Sequence, residues 1–408
     1  MHRAVLCAAL VVVLVPASGG AQALMVTESE ALSRLAMDSP RVRAIRAALD
    51  VARVDVLSAA RWPNPRLTID RESVAVVTEY LTRISQPLPL TGRRGLEVQG
   101  ASALVSASSS RIDDEVRRLR ADLQLAFAEL LAAQAREREL TSARNRFRGL
   151  ADVLAKRENA GDAAGFDRLR AEREVLDAET DLIVATSERT RAQATLASFF
   201  GDIVDPSQLV AVGGTAPPGS IPTLEALLER AESSRGELLA LRHELDAASL
   251  AARVAERRRI PEPEIAAGTK SSSLAGGDVG SVVTVHAAIP LFDRARPERA
   301  MAAARAAQAE ARATSFRLVL RSQVTALRDA VLQRRSAAER YRGEAINSAS
   351  EIVRIAQVSY DAGEHGILEL LDAYRIGALA RVRQAALDLL VRQAEIELAF
   401  LTGWEAPS

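Results

Sequence analysis

The sequence repeats itself. Aligning Gly161 with Gly363 sets an offset of 202 residues: Phe166 then meets Leu368, Asp167 meets Glu369, Leu169 meets Leu371, Ala171 meets Ala373 and Arg173 meets Arg375. The same offset pairs Leu196-Ala197 with Leu398-Ala399, and Gly201 with Gly403. Upstream, Trp-Pro-Asn-Pro at 62–65 matches Ile-Pro-Glu-Pro at 260–263, and Pro89-Leu90 matches Pro290-Leu291. A duplication of this length constrains the fold more than composition does. Whatever the first half forms the second must form too, and the two must share a core.

Each half reads in one order. A helix is expected over about 27–61, and again over about 222–259. Each ends at a proline pair, because proline lacks an amide donor and disfavours helix in the residue before it. Two short strands follow. In Pro-Arg-Leu-Thr-Ile-Asp, 65–70, and Ser-Val-Val-Thr-Val-His-Ala-Ala-Ile, 281–289, apolar and polar residues alternate as in strands. Residues 271–280 carry clear turn chemistry between strands; the first hairpin, around 71–76, carries less.

Long helices come next, expected at about 94–157 and 297–359. Steps of three and four from Val116 run through Leu119, Leu123, Ala126, Leu130, Ala133, Glu137, Leu140, Arg144, Phe147 and Ala151 to Leu154, a heptad seam with two polar members. Glycine turns at Gly161–Gly165 and Gly363–Gly366 reverse the chain into return helices at about 166–200 and 367–401. The domain plan is therefore a leader at 1–23, a first repeat at 24–204, a linker at 205–222, a second repeat at 223–404 and a tail at 405–408.

The leader has a basic start at Arg3, an apolar stretch from Ala4 to Val15 and Ala-Gln-Ala at 21–23. That is a secretory signal peptide, too short in its apolar part to be a membrane anchor. Export fixes the envelope or the exterior as the compartment. Cys7, the one cysteine, lies in the leader, so disulfides do not hold the mature fold. The mature chain has 52 basic and 53 acidic residues, which gives no electrostatic case for nucleic acid. No run of about eighteen apolar residues follows, so membrane contact has to come by another route. Thin helical hairpins bury little core alone. Four strands with open edges invite pairing, and pooling the strands of several chains into one closed barrel answers both needs.

Taken together, "RWPNPRL", "SQPLPLTGRRG", "AIPLFDRARPE", "AGEHGILELLDAYR" and "LAFLTG" resemble the outer-membrane efflux (TolC-like) family over residues 27–404. "QPLPLTGRR" is similar to its heavy-metal-exporter branch. The resemblance implies a mainly α fold with a small β part. Duplicated coiled-coil-like hairpins and four β-strands per chain would build a homotrimer with a 12-stranded β-barrel in outer-membrane lipid and a helical tunnel in the periplasm of a Gram-negative cell. It implies a passive exit duct, with a periplasmic adaptor and an inner-membrane pump of the RND type as partners. Metal ions or small toxic compounds would be the cargo.

The family places an acidic residue, two apolar residues and Asp at the tunnel's narrow end; here these are Glu369-Leu370-Leu371-Asp372. The resemblance thus assigns a periplasmic gate to Glu369 and Asp372, with Asp167 the first-repeat counterpart of Glu369. A three-fold ring of carboxylates in a narrow pore binds cations and repels anions. The plain alternative is that these are ordinary solvated helix charges. Gly161, Gly165, Gly363, Gly366 and His365 form the hairpin tips expected to meet the adaptor. Glycine there equally serves as a helix cap, and a histidine there would make gating respond to pH near neutrality. Pro87, Pro89, Gly92, Pro290 and Asp293 mark the strand-to-helix junctions, with Thr91 and Asp293 as expected helix caps. Trp62, Tyr80 and Phe292 are the sparse aromatics available to a membrane interface.

No catalytic constellation stands out. His243, His286 and His365 are too scattered for a metal site, and no glycine-rich phosphate loop follows a strand. No cofactor is expected. Two other readings stay open: a periplasmic coiled-coil adaptor or scaffold, and the exit duct of type I protein secretion.

Overall fold

The structure, a computed structural model, describes residues 23–35, 39–160, 165–200, 204–213, 219–273 and 277–404. The expected leader, with Cys7, lies outside them except for Ala23, as do Gly161 and the tail. The elements are β1 (Leu24–Val26), α1 (Glu28–Arg34), α2 (Pro40–Ala60), β2 (Arg66–Val74), β3 (Val77–Pro87), α3 (Arg93–Ala160), α4 (Gly165–Ala197), β4 (Leu209–Ala211), α5 (Leu224–Ser234), α6 (Gly236–Arg257), β5 (Pro263–Ser272), β6 (Val279–Ala287), α7 (Arg296–Arg340), a π-helical turn (Tyr341–Ile346), α8 (Asn347–Asp361) and α9 (Ile367–Thr402).

The two opening helices are each broken, against the single helices expected. Thr27 and Glu30 form a capping box on α1. Ser39 caps α2 with Pro40 at its first position, where proline's fixed φ suits a helix start. In the second half the break falls at Arg235. The chain there is pressed so close to α3 that a Cβ on Gly236 would lie 2.0 Å from the Ser110 carbonyl oxygen. Only glycine fits that crossing.

Helix α3 is unbroken for 68 residues, about 100 Å long at 1.5 Å per residue. Every member of its heptad seam is buried or half-buried. Across from it, α4 offers Ala171, Ala178, Ala185 and Ala192, all buried and seven residues apart. Small side chains at one heptad position let two long helices approach closely. The second outgoing helix differs from expectation. Its buried line runs Val324, Val331, Ala338 in steps of seven, then jumps eleven to Ala349 before Ala356. The π turn lies inside that longer step, where an inserted residue shifts the phase of the seam.

The expected linker also carries structure. Strand β4 pairs in parallel with β1, joining the start of the described chain to the segment between the halves. The Gln134 side chain extends this two-stranded sheet: its amide donates to the Ala211 carbonyl at 3.0 Å and accepts from the Ala211 N–H at 2.9 Å. Buried Gln193 donates to the Leu209 carbonyl at 2.7 Å. These polar side chains satisfy backbone groups that a lone strand pair would leave buried and unpaired. A core of Val26, Phe127, Leu130, Leu196, Phe199 and Leu209 surrounds them. A matching core in the second half holds Leu227, Leu238, Val324, Leu398 and Trp404.

The remaining strands form one antiparallel sheet of order β2-β3-β5-β6, so β2 and β6 are its edges. Its register gathers the branched apolar side chains unevenly between the two faces. Leu67, Ile69, Ile84, Ile265, Val283 and Val285 fall on one face, and all are solvent-exposed. The other face is mixed: Leu81 and Val282 share it with the ion pairs Arg83–Asp70 and Lys270–Glu79 at 2.9 and 2.7 Å. This is the inverse of a soluble sheet, which turns its apolar face to a core.

Candidate gate and hairpin tips

The far ends of the two helical hairpins pack on each other. Phe147, Leu150 and Leu154 of α3 and Ala171 of α4 share a cluster with Ala356 of α8 and Ile367, Leu370 and Leu371 of α9. The first turns of α4 and α9 therefore lie at the same end of the molecule.

The second tip is built by a Schellman turn. Glu364 N–H donates to the Ser359 carbonyl at 2.8 Å and Gly363 N–H to the Tyr360 carbonyl at 3.0 Å. Gly363 sits at φ 75°, a left-handed position that glycine occupies without steric penalty. Helix α9 then starts after Gly366, with no side-chain cap on its first amides. Glu369 folds back over that start: its Oε2 lies 3.2 Å from where a Cβ on Gly366 would be. A carboxylate there complements the positive helix terminus. Leu370 and Leu371 are buried, which leaves Glu369 and Asp372 exposed on the opposite face. His365 is exposed, and its backbone N–H donates to Ser359 at 3.3 Å.

The first tip is wired differently. Arg168 binds Glu158 at 2.5 Å and Glu172 at 2.7 Å, pinning α4 to the end of α3. The two carboxylates, Glu172 foremost, hold its guanidinium pKa above the ordinary arginine value. Asp167 is half-buried beside it, and Gly165 begins the helix. The structure thus puts Asp167, Glu369 and Asp372 at one end, with no hydrogen bond or ion pair joining the three among the described residues.

Contacts between the halves are what sequence reasoning missed. Arg157 on α3 reaches the Tyr360 hydroxyl at 3.3 Å and lies over its ring at 5.6 Å. Arg375 stands 3.5 Å from Asp372 and 3.9 Å from Glu174 on α4. Arg381 binds Glu139 at 2.6 Å. Tyr374 packs edge-on against Phe147 and donates to Gln357; burial holds its hydroxyl pKa above the usual tyrosine value. One signal was available: at the offset of 202, Tyr360 stands where the first half has Glu158, and Ile376 where it has Glu174. The halves diverge at most of the positions that touch, Arg375 and its counterpart Arg173 being an exception.

At the sheet's inner end, both junctions share a tight turn. Leu90 N–H donates to the Leu88 carbonyl across Pro89, and Leu291 N–H to Ile289 across Pro290, each at 2.9 Å. Pro87 closes β3. The expected caps need correction. Left-handed Gly92 (φ 72°) intervenes between Thr91 and α3, and the Thr91 hydroxyl holds Arg93 N–H at only 3.4 Å while donating to Glu262 at 2.6 Å. Asp293 accepts from Ala295 N–H at 3.1 Å and so shapes the turn; the residue before α7 is Ala295, at φ 53°.

Residues 227–404 match the family model described as outer membrane efflux protein. The cobalt-zinc-cadmium resistance protein CzcC of Cupriavidus metallidurans is 25% identical over 358 residues, covering 88% of this chain and 85% of that protein. A membrane protein of known structure from Pseudomonas aeruginosa superposes with a TM-score of 0.77 at 19% identity, covering 92% of this chain and 93% of the other. The CmeC outer membrane channel of Campylobacter jejuni gives the same score at 13% identity, over 92% and 85%. The second half of the chain matches the outer membrane efflux proteins, the first half is built on the same plan, and most of the chain is similar to them in sequence and fold: the protein is an efflux channel of the outer membrane.

Proposed function

We propose that three copies of this chain form a continuous duct. The carrying observation is the exposed apolar face of a sheet with two open edges. Joining β2 of one copy to β6 of the next would close twelve strands into a barrel with lipid outside and the Arg83–Asp70 and Lys270–Glu79 pairs inside. Strands of 9, 11, 10 and 9 residues suit a tilted membrane crossing. The helices support the same assembly. Leu169, Leu176 and Ile183 form an exposed stripe of period seven on α4, which a neighbouring copy would cover.

In this reading Glu369 and Asp372 ring the tunnel's narrow end, with Asp167 nearby, and the halves' cross-contacts hold the ring closed. The tips at Gly161–Gly165 and Gly363–Gly366, with His365, meet a periplasmic adaptor that joins the duct to an inner-membrane pump. Likeness to a cobalt-zinc-cadmium resistance protein supports divalent metal ions as the cargo and an RND-type pump as the partner.

Deleting the gene, with the pump genes intact, tests the cargo. Growth should become sensitive to cobalt, zinc or cadmium and recover with the gene in trans. Unchanged metal tolerance with loss of a secreted protein would replace this reading by type I secretion. A monomer in outer-membrane extracts that run unheated on denaturing gels would sink the trimeric duct.

A further inference from the structure

The two ends of the sheet differ in charge. At its outer end, residues 72–79 and 271–280 carry Glu72, Glu79 and Asp278 and no basic residue. At the helix end, the flanking segments 57–66, 88–98, 256–264 and 288–299 hold ten arginines and six carboxylates. The strand register brings these four segments to one level, since Arg66 pairs with Ser85, Pro87 with Glu264 and Pro263 with Ala287. Some of the arginines are spent on structure: Arg93 binds Glu262 and Arg258 binds Glu298. Arg61, Arg259 and Arg296 are exposed and make no ion pair among the described residues.

Apolar side chains stand exposed among these charges, in both halves. Arg61-Trp62-Pro63 repeats as Arg259-Ile260-Pro261, with Trp62 and Ile260 about half exposed. Leu90, Ile289 and Leu291 project from the two proline turns. Trp62 lies over the Arg94 guanidinium at 5.1 Å, and the two line a groove of ≈ 330 Å³ with Arg61 and Arg93. A soluble surface gains nothing from such a mixture. A bilayer interface does: apolar groups sit at the acyl boundary while guanidinium groups meet phosphates.

We propose that this collar is a docking surface for anionic phospholipid headgroups of the inner leaflet of the outer membrane. It enriches negatively charged lipid around the duct and fixes the duct's depth in the bilayer. The proposal rests on the barrel reading above.

Trp62 supplies the probe, because Trp404, the other tryptophan, is buried. The trimer is reconstituted in bilayers holding equal fractions of acyl-brominated phosphatidylglycerol or phosphatidylcholine. The fluorescence difference between the wild-type chain and W62F isolates Trp62. The anionic lipid should quench Trp62 roughly twofold more than the zwitterionic one at low salt, and the gap should close at high salt. The triple variant R61Q/R259Q/R296Q should quench equally with both lipids while keeping its trimer and conductance. Equal quenching of the wild-type chain by both overturns the headgroup selectivity and leaves the barrel standing. No quenching by either removes Trp62 from the bilayer, and the barrel placement falls with the proposal.

Discussion

The two halves share a plan and part company in three places. At the junctions, the same proline turn leads into the helix, but the left-handed residue is Gly92 in one half and Ala295 in the other. Along the outgoing helices, α3 runs unbroken while its counterpart takes a π turn. At the tips, the first half locks Arg168 between two carboxylates; the second leaves Glu369 and Asp372 exposed, with only Arg375 beside Asp372. The shared features set the four-stranded sheet and the hairpins, which both halves build alike. Of the three differences, the tips lie where the two halves pack on each other. In the proposed duct, a duplicated chain would gain its pore constriction by changing one copy and keeping the other as its frame.

The strongest way to break the comparison is at the crossing found in the second half. Gly236→Ala puts a methyl group 2.0 Å from the Ser110 carbonyl oxygen. Helix α6 would have to leave α3, at about 3 kcal/mol, the upper end for overpacking. If the proposed trimer forms, we expect a large loss of its resistance to heat for this variant. Gly149→Ala in the exposed middle of α3, where a Cβ meets nothing within 4 Å, should stabilise by up to about 1 kcal/mol. Equal stability of the two variants would show that the close crossing carries no weight.

The tips give the next contrast. Replacing Glu369 and Asp372 by Ala should raise single-channel conductance several-fold and weaken cation selectivity, as expected when a carboxylate ring is removed. Asp167→Ala should do less, since that group is half-buried. Removing the cross-contacts with R157A/R381A should raise conductance with selectivity intact, because the ring and its Arg375 neighbour remain. Unchanged traces for the first variant would return Glu369 and Asp372 to the status of solvated helix charges.

Much of this was legible in the sequence, and the reason is periodicity. The seam from Val116 to Leu154 and the alternation in 281–289 are local patterns with one physical reading each. The sheet-to-helix punctuation is equally local, because proline restricts φ wherever it stands. What was not legible depends on partners distant in the chain. The break at Arg235 is set by Ser110, and β4 becomes a strand only because β1 and Gln134 lie beside it. Likewise the π turn answers a packing phase that no single heptad shows. At the candidate gate, Glu369 and Asp372 were singled out by the family resemblance, since their spacing alone reads equally as solvated helix charge. Arg157 and Tyr360 were not, since nothing in either segment announces the other.

A smaller effect tests how the halves are tied. Arg392 on α9 binds Glu28 on α1 through both carboxylate oxygens, at 2.8 and 2.9 Å, and both side chains are largely buried. Arg392→Ala strands Glu28 without its cation and should cost about 2 kcal/mol, below the cost for a fully buried pair because both side chains keep some exposure and Gln124 still bonds Glu28. The exposed pair Arg53–Asp50 should give under about 0.5 kcal/mol for Arg53→Ala. Chemical denaturation that ranks the two equally would show water reaching the Glu28 site.

The finest contrast lies in two residues at matching turns. Gly92 at φ 72° and Ala295 at φ 53° both adopt left-handed backbone before a long helix. For alanine this conformation costs roughly 1 kcal/mol, because its Cβ crowds the following carbonyl; for glycine it costs almost nothing. The Asp293 carboxylate offsets part of that by holding the Ala295 N–H. Gly92→Ala should therefore lower stability by about 1 kcal/mol. Ala295→Gly should raise it by somewhat less, since glycine also loosens the unfolded chain. The pair separates strain from contact, because a Cβ at position 92 meets no atom within 4 Å. Opposite shifts in the dissociation temperature of the trimer would locate the difference in φ alone. Shifts of the same sign would mean that the buried Ala295 methyl group packs well enough to outweigh its backbone strain, and that the second junction has exchanged freedom for contact.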